Sequence, residues 1–256
     1  MNWFRDRASL SGLTKTLCGS SMALLLTGAG AAAEPRGCYG TALVFAIDAS
    51  GSVDDGEYVL QMGGLSQALR DPAVADAVQA AGGVALAAVV WSDTAVATST
   101  VGWQSVRGAD DIERFARTME SLPRVGGGGT DMGQGVSDAL DLLDDPALCA
   151  MRRVIDVSGD GKETVYARRR FGISIFSAKR RAEEAGVIIN GLAIIDEEKD
   201  IEEYYLGKVI SGATSFVIVA DGFADFARAM RTKLLREITP LNQAQLQLMP
   251  AGERTN

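Results

Sequence analysis

The chain has 256 residues, 47% of them apolar and 23% charged, which suffices for one full-sized globular core and leaves little for a second. Its formal charge of −8 makes it a poor partner for nucleic acid or anionic lipid. It contains no histidine, which excludes His-based acid/base catalysis, Ser-His-Asp and Cys-His nucleophile systems and His-ligated zinc.

Residues 1–33 read differently from the rest. A cationic start (Arg5, Arg7, Lys15) leads into the apolar stretch Leu17 to Leu26 and then Ala31-Ala32-Ala33, the order of a secretory signal peptide cleaved before Glu34. The alternative is an uncleaved anchor, but Gly19, Ser20, Ser21, Thr27, Gly28 and Gly30 interrupt the run well below the roughly 20 apolar residues of a span. Cys18 would leave with the peptide. Cleavage removes three basic residues and one acidic one, so the mature chain carries a net charge of −10. A periplasmic or secreted protein with no remaining membrane span is expected.

From there, apolar runs bounded by turn residues alternate with stretches of helical period, the pattern of a single α/β domain over residues 34–239. Thr41 to Ile47 (TALVFAI) is apolar enough for a strand buried on both faces. A helix follows from about Asp54 to Ala68, capped by Asp54 or Asp55. Val84 to Trp91 (VALAAVVW) is a second buried strand. After the turn Ser92-Asp93-Thr94, Ala95 to Val101 reads as its antiparallel edge partner. Asp110 to Met119 and Met132 to Leu143 read as helices flanking the glycine run Gly126 to Gly129, and Arg153 to Ser158 as the next strand. A long helix ends near Gly186, placed as a C′ glycine. Val187 to Ile195 is a strand, Ile201 to Ile210 a helix, Ser215 to Val219 the last strand and Phe223 to Ile238 the closing helix. The tail 240–256, without periodicity, reads as disordered.

Asp48-Ala49-Ser50-Gly51-Ser52 stands at the C-terminal end of the first strand, the edge where open α/β sheets collect ligands. A carboxylate and two hydroxyls at alternate positions are hard donors suited to Mg²⁺. Alone, this triplet is as compatible with an ordinary turn. Gly126-Gly127-Gly128-Gly129-Thr130-Asp131 precedes a helix, however, and Ser158-Gly159-Asp160-Gly161 ends the fourth strand at the same edge. Three loops can thus deliver two carboxylates and three hydroxyls to one crevice.

With these three segments the sequence resembles the von Willebrand factor A family, whose metal-ion-dependent adhesion site has an Asp-x-Ser-x-Ser motif, a Thr from a second loop and an Asp from a third. Asp48, Ser50, Ser52, Thr130 and Asp160 match in order, and the succession of elements matches over about residues 40–238. The resemblance implies a doubly wound, mostly parallel six-stranded sheet with one antiparallel edge strand and helices on both faces. It implies a single Mg²⁺ or Mn²⁺ held by the hydroxyls, the aspartates acting through water or hydrogen bonds, and a protein partner whose Asp or Glu carboxylate fills the open position. Gly159 departs from the family's third loop, and Asp156 in mid-strand competes with Asp160, although its buried position suits a hydrogen-bonding role in the core. Val154 to Gly161 (VIDVSGDG) also resembles the signature of a bacterial subgroup of A-like proteins of unknown function. In the A-like strand order the first and fourth strands are neighbours. Cys38 and Cys149 precede Asp48 and Asp160 by similar intervals, so they are expected to meet at the opposite sheet edge in a disulfide.

Other residues carry less. Asp131 reads as a helix cap, Trp91 and Trp103 as core or edge-strand packing, and Tyr204-Tyr205 as a helix face or contact patch. The acids Asp196, Glu197, Glu198 and Asp200 read as a solvated loop. The basic clusters Arg168-Arg169-Arg170 and Lys179-Arg180-Arg181 read as a solvated helix face balanced by Glu183 and Glu184. The expected function is a non-enzymatic, metal-dependent protein-binding module. The alternatives are a Mg²⁺-dependent hydrolase or phosphotransferase with Asp48 as nucleophile, and an A-like scaffold without metal. Against the hydrolase, the residue two beyond Asp48 is Ser50, so the paired carboxylate such chemistry needs is absent.

Overall fold

The computed structural model describes residues 38–164 and 172–239. The expected signal peptide, the tail from Pro240 and the Arg168-Arg169-Arg170 cluster lie outside the described residues.

Strands β1 (Tyr39–Asp48), β2 (Val84–Trp91), β3 (Ser99–Val106), β4 (Ala150–Gly159), β5 (Ile188–Ile194) and β6 (Val217–Ala220) form one sheet in the order β3-β2-β1-β4-β5-β6. All neighbours are parallel except β2 and β3. Every residue of β2 is buried, as are the last eight of β1, so both strands need a helical layer on each side. One layer comprises α1 (Asp55–Leu69), α2 (Pro72–Ala80), α3 (Ala109–Glu120) and α7 (Phe226–Ile238), packed on Leu43, Phe45 and Ile47. The other comprises α4 (Met132–Leu143), α5 (Ile175–Ala185) and α6 (Ile201–Tyr204), packed on Ala42, Val44 and Ala46. The chain leaves β1 toward β2 and β3 and then returns to the other side of β1 to form β4. This reversal makes the C-terminal ends of β1 and β4 a topological switch point, where a crevice opens.

Several boundaries depart from expectation. The antiparallel edge strand is Ser99–Val106 rather than Ala95–Val101. Asp93 turns the intervening chain instead, its Oδ1 accepting from Ala95 N at 2.9 Å and its Oδ2 from Gly129 N at 2.9 Å. Helix α2 was not anticipated, although Asp71-Pro72 is a strong start signal: Asp71 accepts from Ala73 N and proline occupies the first turn. Helix α5 is only 11 residues long, but it does end on Gly186, at φ 65°. The helix expected over Ile201 to Ile210 is four α-helical residues followed by a π-helical turn, Tyr205–Val209. The last helix opens with a 3₁₀ turn, Phe223–Asp225. Of the basic cluster, Arg180 lies 3.7 Å from Glu184 as expected, but Arg181 is balanced by Asp141 of α4 and by Asp144 just past its end, at 2.7 and 2.6 Å, while Glu183 accepts from Ser211.

Cys38 and Cys149 are bonded, with Cα atoms 4.7 Å apart, and Tyr39 N donates to Cys149 O beside them. The bridge ties the start of β1 to the start of β4, at the end of the sheet opposite the crevice. Asp156 does lie in the core, yet in an ionic setting. Lys233 Nζ of α7 sits 2.8 Å from Asp156 Oδ1 and 2.5 Å from Glu237 Oε1. Asn190 donates to that same Glu237 oxygen at 2.8 Å and accepts from Phe216 N at 3.1 Å. All four side chains are buried, so no solvent screens this cluster.

Candidate metal centre

Loop 48–52 leaves β1 between two partners. Ala49 N donates to Trp91 O of β2, and Gly51 N donates to Gly128 O of the glycine run, which returns a bond from Gly127 N to Ala49 O at 3.0 Å. So close a backbone approach leaves no space for side chains. A Cβ on Gly126 would fall 2.0 Å from Ala49 O, and Gly128 takes φ 72°, which favours glycine. The third loop is stitched to the second by Thr164 N donating to Thr130 O and Thr130 N donating to Thr164 Oγ1.

The structure brings all five anticipated side chains together. Asp48 Oδ1 accepts from Ser50 N at 2.8 Å. Ser50 Oγ lies 3.2 Å from Ser52 Oγ, Thr130 Oγ1 donates to Ser50 Oγ at 3.3 Å, and Ser52 Oγ donates to Asp160 Oδ1 at 2.8 Å. Asp48, Ser50, Thr130 and Asp160 are buried, whereas Ser52 is exposed, so the cluster opens to solvent on one side only. Asp156 faces α7 instead and takes no part. Asp131 occupies the N-cap position of α4 but its side chain makes no capping hydrogen bond to that helix.

The donor set fits a hard divalent cation. Two carboxylates and three hydroxyls converge, and Asp48 Oδ2 is fully buried without a hydrogen-bond partner. Burial, reinforced by the nearby charge of Asp160, pushes the Asp48 carboxyl up to about 7, while Ser50 opposes the rise. Burial also raises Asp160, against the pull of Ser52. Two buried carboxylates whose mutual repulsion Arg124 offsets only in small part are the electrostatic situation that a bound metal relieves. Among the described residues no three His, Cys, Asp or Glu side chains gather to hold a metal. Three of the five oxygen-bearing side chains here are hydroxyls, a composition that would leave a bound cation underneutralised.

Residues that sequence reasoning did not single out hold the cluster in place. Gln61 Nε2 donates to Asp48 O at 2.9 Å, and Arg124 Nη2 donates to Ser50 O at 3.1 Å. Glu163 Oε1 accepts from Gly133 N at 3.1 Å and Ile175 N at 2.8 Å, joining the first turns of α4 and α5. The expected acidic loop is partly neutralised, since Lys162, two residues beyond Asp160, pairs with Glu198 and Asp200. Of the tyrosine pair, Tyr204 accepts from Glu163 N at 3.1 Å and Tyr205 is wholly buried. Burial, then the charge of Asp48, drives the Tyr205 phenol well above its ordinary value, so it stays protonated.

This sheet order, with its single antiparallel edge and its crevice between β1 and β4, is that of a von Willebrand factor A-like domain. Similar solved structures agree. The pilus adhesin SpaC from Lactobacillus rhamnosus GG matches at TM-score 0.59 and 13% identity over 79% of this chain and 31% of its own. Proximal thread matrix protein 1 from the mussel byssus matches at 0.57 and 15% over 78% and 47%; a further structure of it has zinc in its MIDAS motif. The vWF domain of the type V pilus tip protein Mfa5 from Porphyromonas gingivalis matches at 0.54 and 10% over 77% and 94%. The chain therefore spans about a third to a half of the SpaC and byssus proteins it resembles. A search of curated proteins finds no match. The chain belongs to the family described as a protein of unknown function, DUF1194, whose profile matches residues 38–242.

Proposed function

We propose that this protein is a non-enzymatic binding module of the cell exterior or periplasm, in which Asp48, Ser50, Ser52, Thr130 and Asp160 hold one Mg²⁺ or Mn²⁺ that captures a carboxylate of a protein partner. The convergence of those five oxygen-bearing side chains, with Asp48 Oδ2 buried and unpaired, carries the reading. The cation would supply a local positive charge on a surface that is acidic overall, so that an Asp or Glu of the partner is attracted at one spot and repelled elsewhere. The protein's own part is to fix the donors: Gln61 and Arg124 hold the first loop by its carbonyls, and the glycine run holds the second against it. The pilus adhesin, the pilus tip protein and the byssus matrix protein among the structural relatives, the last with zinc at its MIDAS motif in one structure, are in keeping with this role. The Cys38–Cys149 bridge fits an oxidising compartment, and no described helix is long and apolar enough to cross a membrane.

The test is calorimetry of Mg²⁺ added to metal-free protein, paired with capture of envelope proteins in Mg²⁺ and in chelator. We expect Asp48→Ala to stay folded, to lose Mg²⁺ binding and to lose capture. A partner whose critical carboxylate is changed to an amide should fail even with metal present. Capture that is indifferent to chelator, or undiminished Mg²⁺ binding in folded Asp48→Ala protein, would overturn the proposal.

A further inference from the structure

Tyr205 is seated in a space made by two glycines. A Cβ on Gly191 of β5 would lie 2.5 Å from Tyr205 Cδ1, inside the ring's own volume. A Cβ on Gly159, at the end of β4, would meet Asp48 Oδ2 at 2.6 Å and the Tyr205 hydroxyl at 3.1 Å. The phenol oxygen and the free carboxylate oxygen thus crowd the same side of Gly159. Both are buried and both lack a hydrogen-bond partner. The π-helical turn that begins at Tyr205 belongs to the same arrangement, since such turns insert one extra residue and recur at functional sites. Phenylalanine would fill the pocket over Gly191 equally well. A hydroxyl at a dry position costs free energy unless it finds an acceptor, and an ionised carboxylate oxygen costs more without a donor.

We propose that Tyr205 is a positioning residue of the metal centre: its hydroxyl donates to Asp48 Oδ2, directly or across one water, and fixes the carboxylate orientation that a cation requires. This rests on the metal reading of the site. With Oδ1 held by Ser50 N and Oδ2 held by Tyr205, the Asp48 carboxylate has no freedom to turn when the cation arrives. The preorganisation lies on the side of the sheet covered by α4 and α5, out of reach of any partner at the solvent-facing opening.

The experiment is Tyr205→Phe, with Mg²⁺ affinity read by calorimetry and the tyrosine near-ultraviolet difference spectrum read on adding Mg²⁺. Loss of a hydrogen bond to a charged group predicts about a tenfold or greater weakening of Mg²⁺ binding. Thermal stability of the metal-free protein should fall only slightly, since the phenyl ring still fills the space over Gly191 and the hydroxyl's bond to Asp48 is what is lost. The tyrosine difference band should appear in wild type and in Tyr204→Phe and vanish in Tyr205→Phe. Equal Mg²⁺ affinity in wild type and Tyr205→Phe overturns the role of Tyr205 while leaving the metal site standing. A wild-type protein that binds neither Mg²⁺ nor Mn²⁺ overturns both. Should Tyr205→Phe not fold, the wild-type spectrum decides: no tyrosine band on Mg²⁺ binding overturns the inference.

Discussion

The Asp156–Lys233–Glu237 cluster permits a quantitative test of how the core is held. Lys233→Met keeps most of the apolar stem and removes the positive charge that lies between two buried carboxylates. Breaking a buried pair by deleting one partner costs about 3–5 kcal/mol, a large share of a typical domain's stability. Asp156→Asn probes the same cluster with the opposite expectation. Burial pushes the Asp156 carboxyl up to about 7, with Lys233 drawing it down and Glu237 raising it further. Because the folded value lies above the ordinary 3.8, the group's contribution is complete below that value and is lost as pH rises through about 7. The loss runs between the ordinary value and the folded one, from roughly pH 4 to about pH 7, and then levels off. Asn cannot ionise and leaves the Lys233–Glu237 pair in place, so Asp156→Asn should gain on wild type steadily across that window. Urea unfolding of the disulfide-intact proteins at several pH values measures both effects. Parallel pH profiles for wild type and Asp156→Asn, or a cost below about 1 kcal/mol for Lys233→Met, would refute the reasoning.

Two further substitutions test other parts of the structure. Gly159→Ala places a Cβ against Asp48 and Tyr205 and should destabilise by about 1–3 kcal/mol while weakening Mg²⁺ binding, whereas Gly63→Ala in α1, with nothing within 4 Å of the new methyl, should be neutral or slightly stabilising; calorimetry and thermal melts of the pair decide this, and equal behaviour would contradict the packing. Cys38→Ser removes a bridge across 111 residues of sequence and should lower stability by up to about 4.7 kcal/mol without altering Mg²⁺ affinity in the folded protein, because the bridge lies at the far end of the sheet; denaturant titration together with calorimetry reads both quantities.

What could be read from the sequence was whatever is encoded over a short stretch. Strand β2 and helix α4 fall at their expected bounds, because an unbroken apolar run and a helical period are local patterns. The oxygens of the candidate metal centre were legible for the same reason, since they sit in three short motifs at strand or helix ends. The groups that hold those motifs were not. Gln61, Arg124 and Glu163 are single polar residues whose partners are backbone atoms brought near by folding, at separations from 12 to 74 positions. Lys233 and Glu237, four apart on a helix, carry the pattern of an exposed ion pair, and only the position of α7 over Asp156 buries them. Gly159 and Gly191 fall between these cases. A glycine within a strand signals that something approaches the backbone closely; Gly191, inside the expected strand Val187 to Ile195, carried that signal, whereas Gly159 stood just beyond the expected end of the fourth strand. What approaches is Tyr205, 14 residues beyond Gly191 and 46 beyond Gly159, delivered by a π-helical turn that no periodicity announces. The part of the centre open to solvent is therefore written in contiguous motifs, and the part beneath it in pairs of residues that only the folded chain brings together.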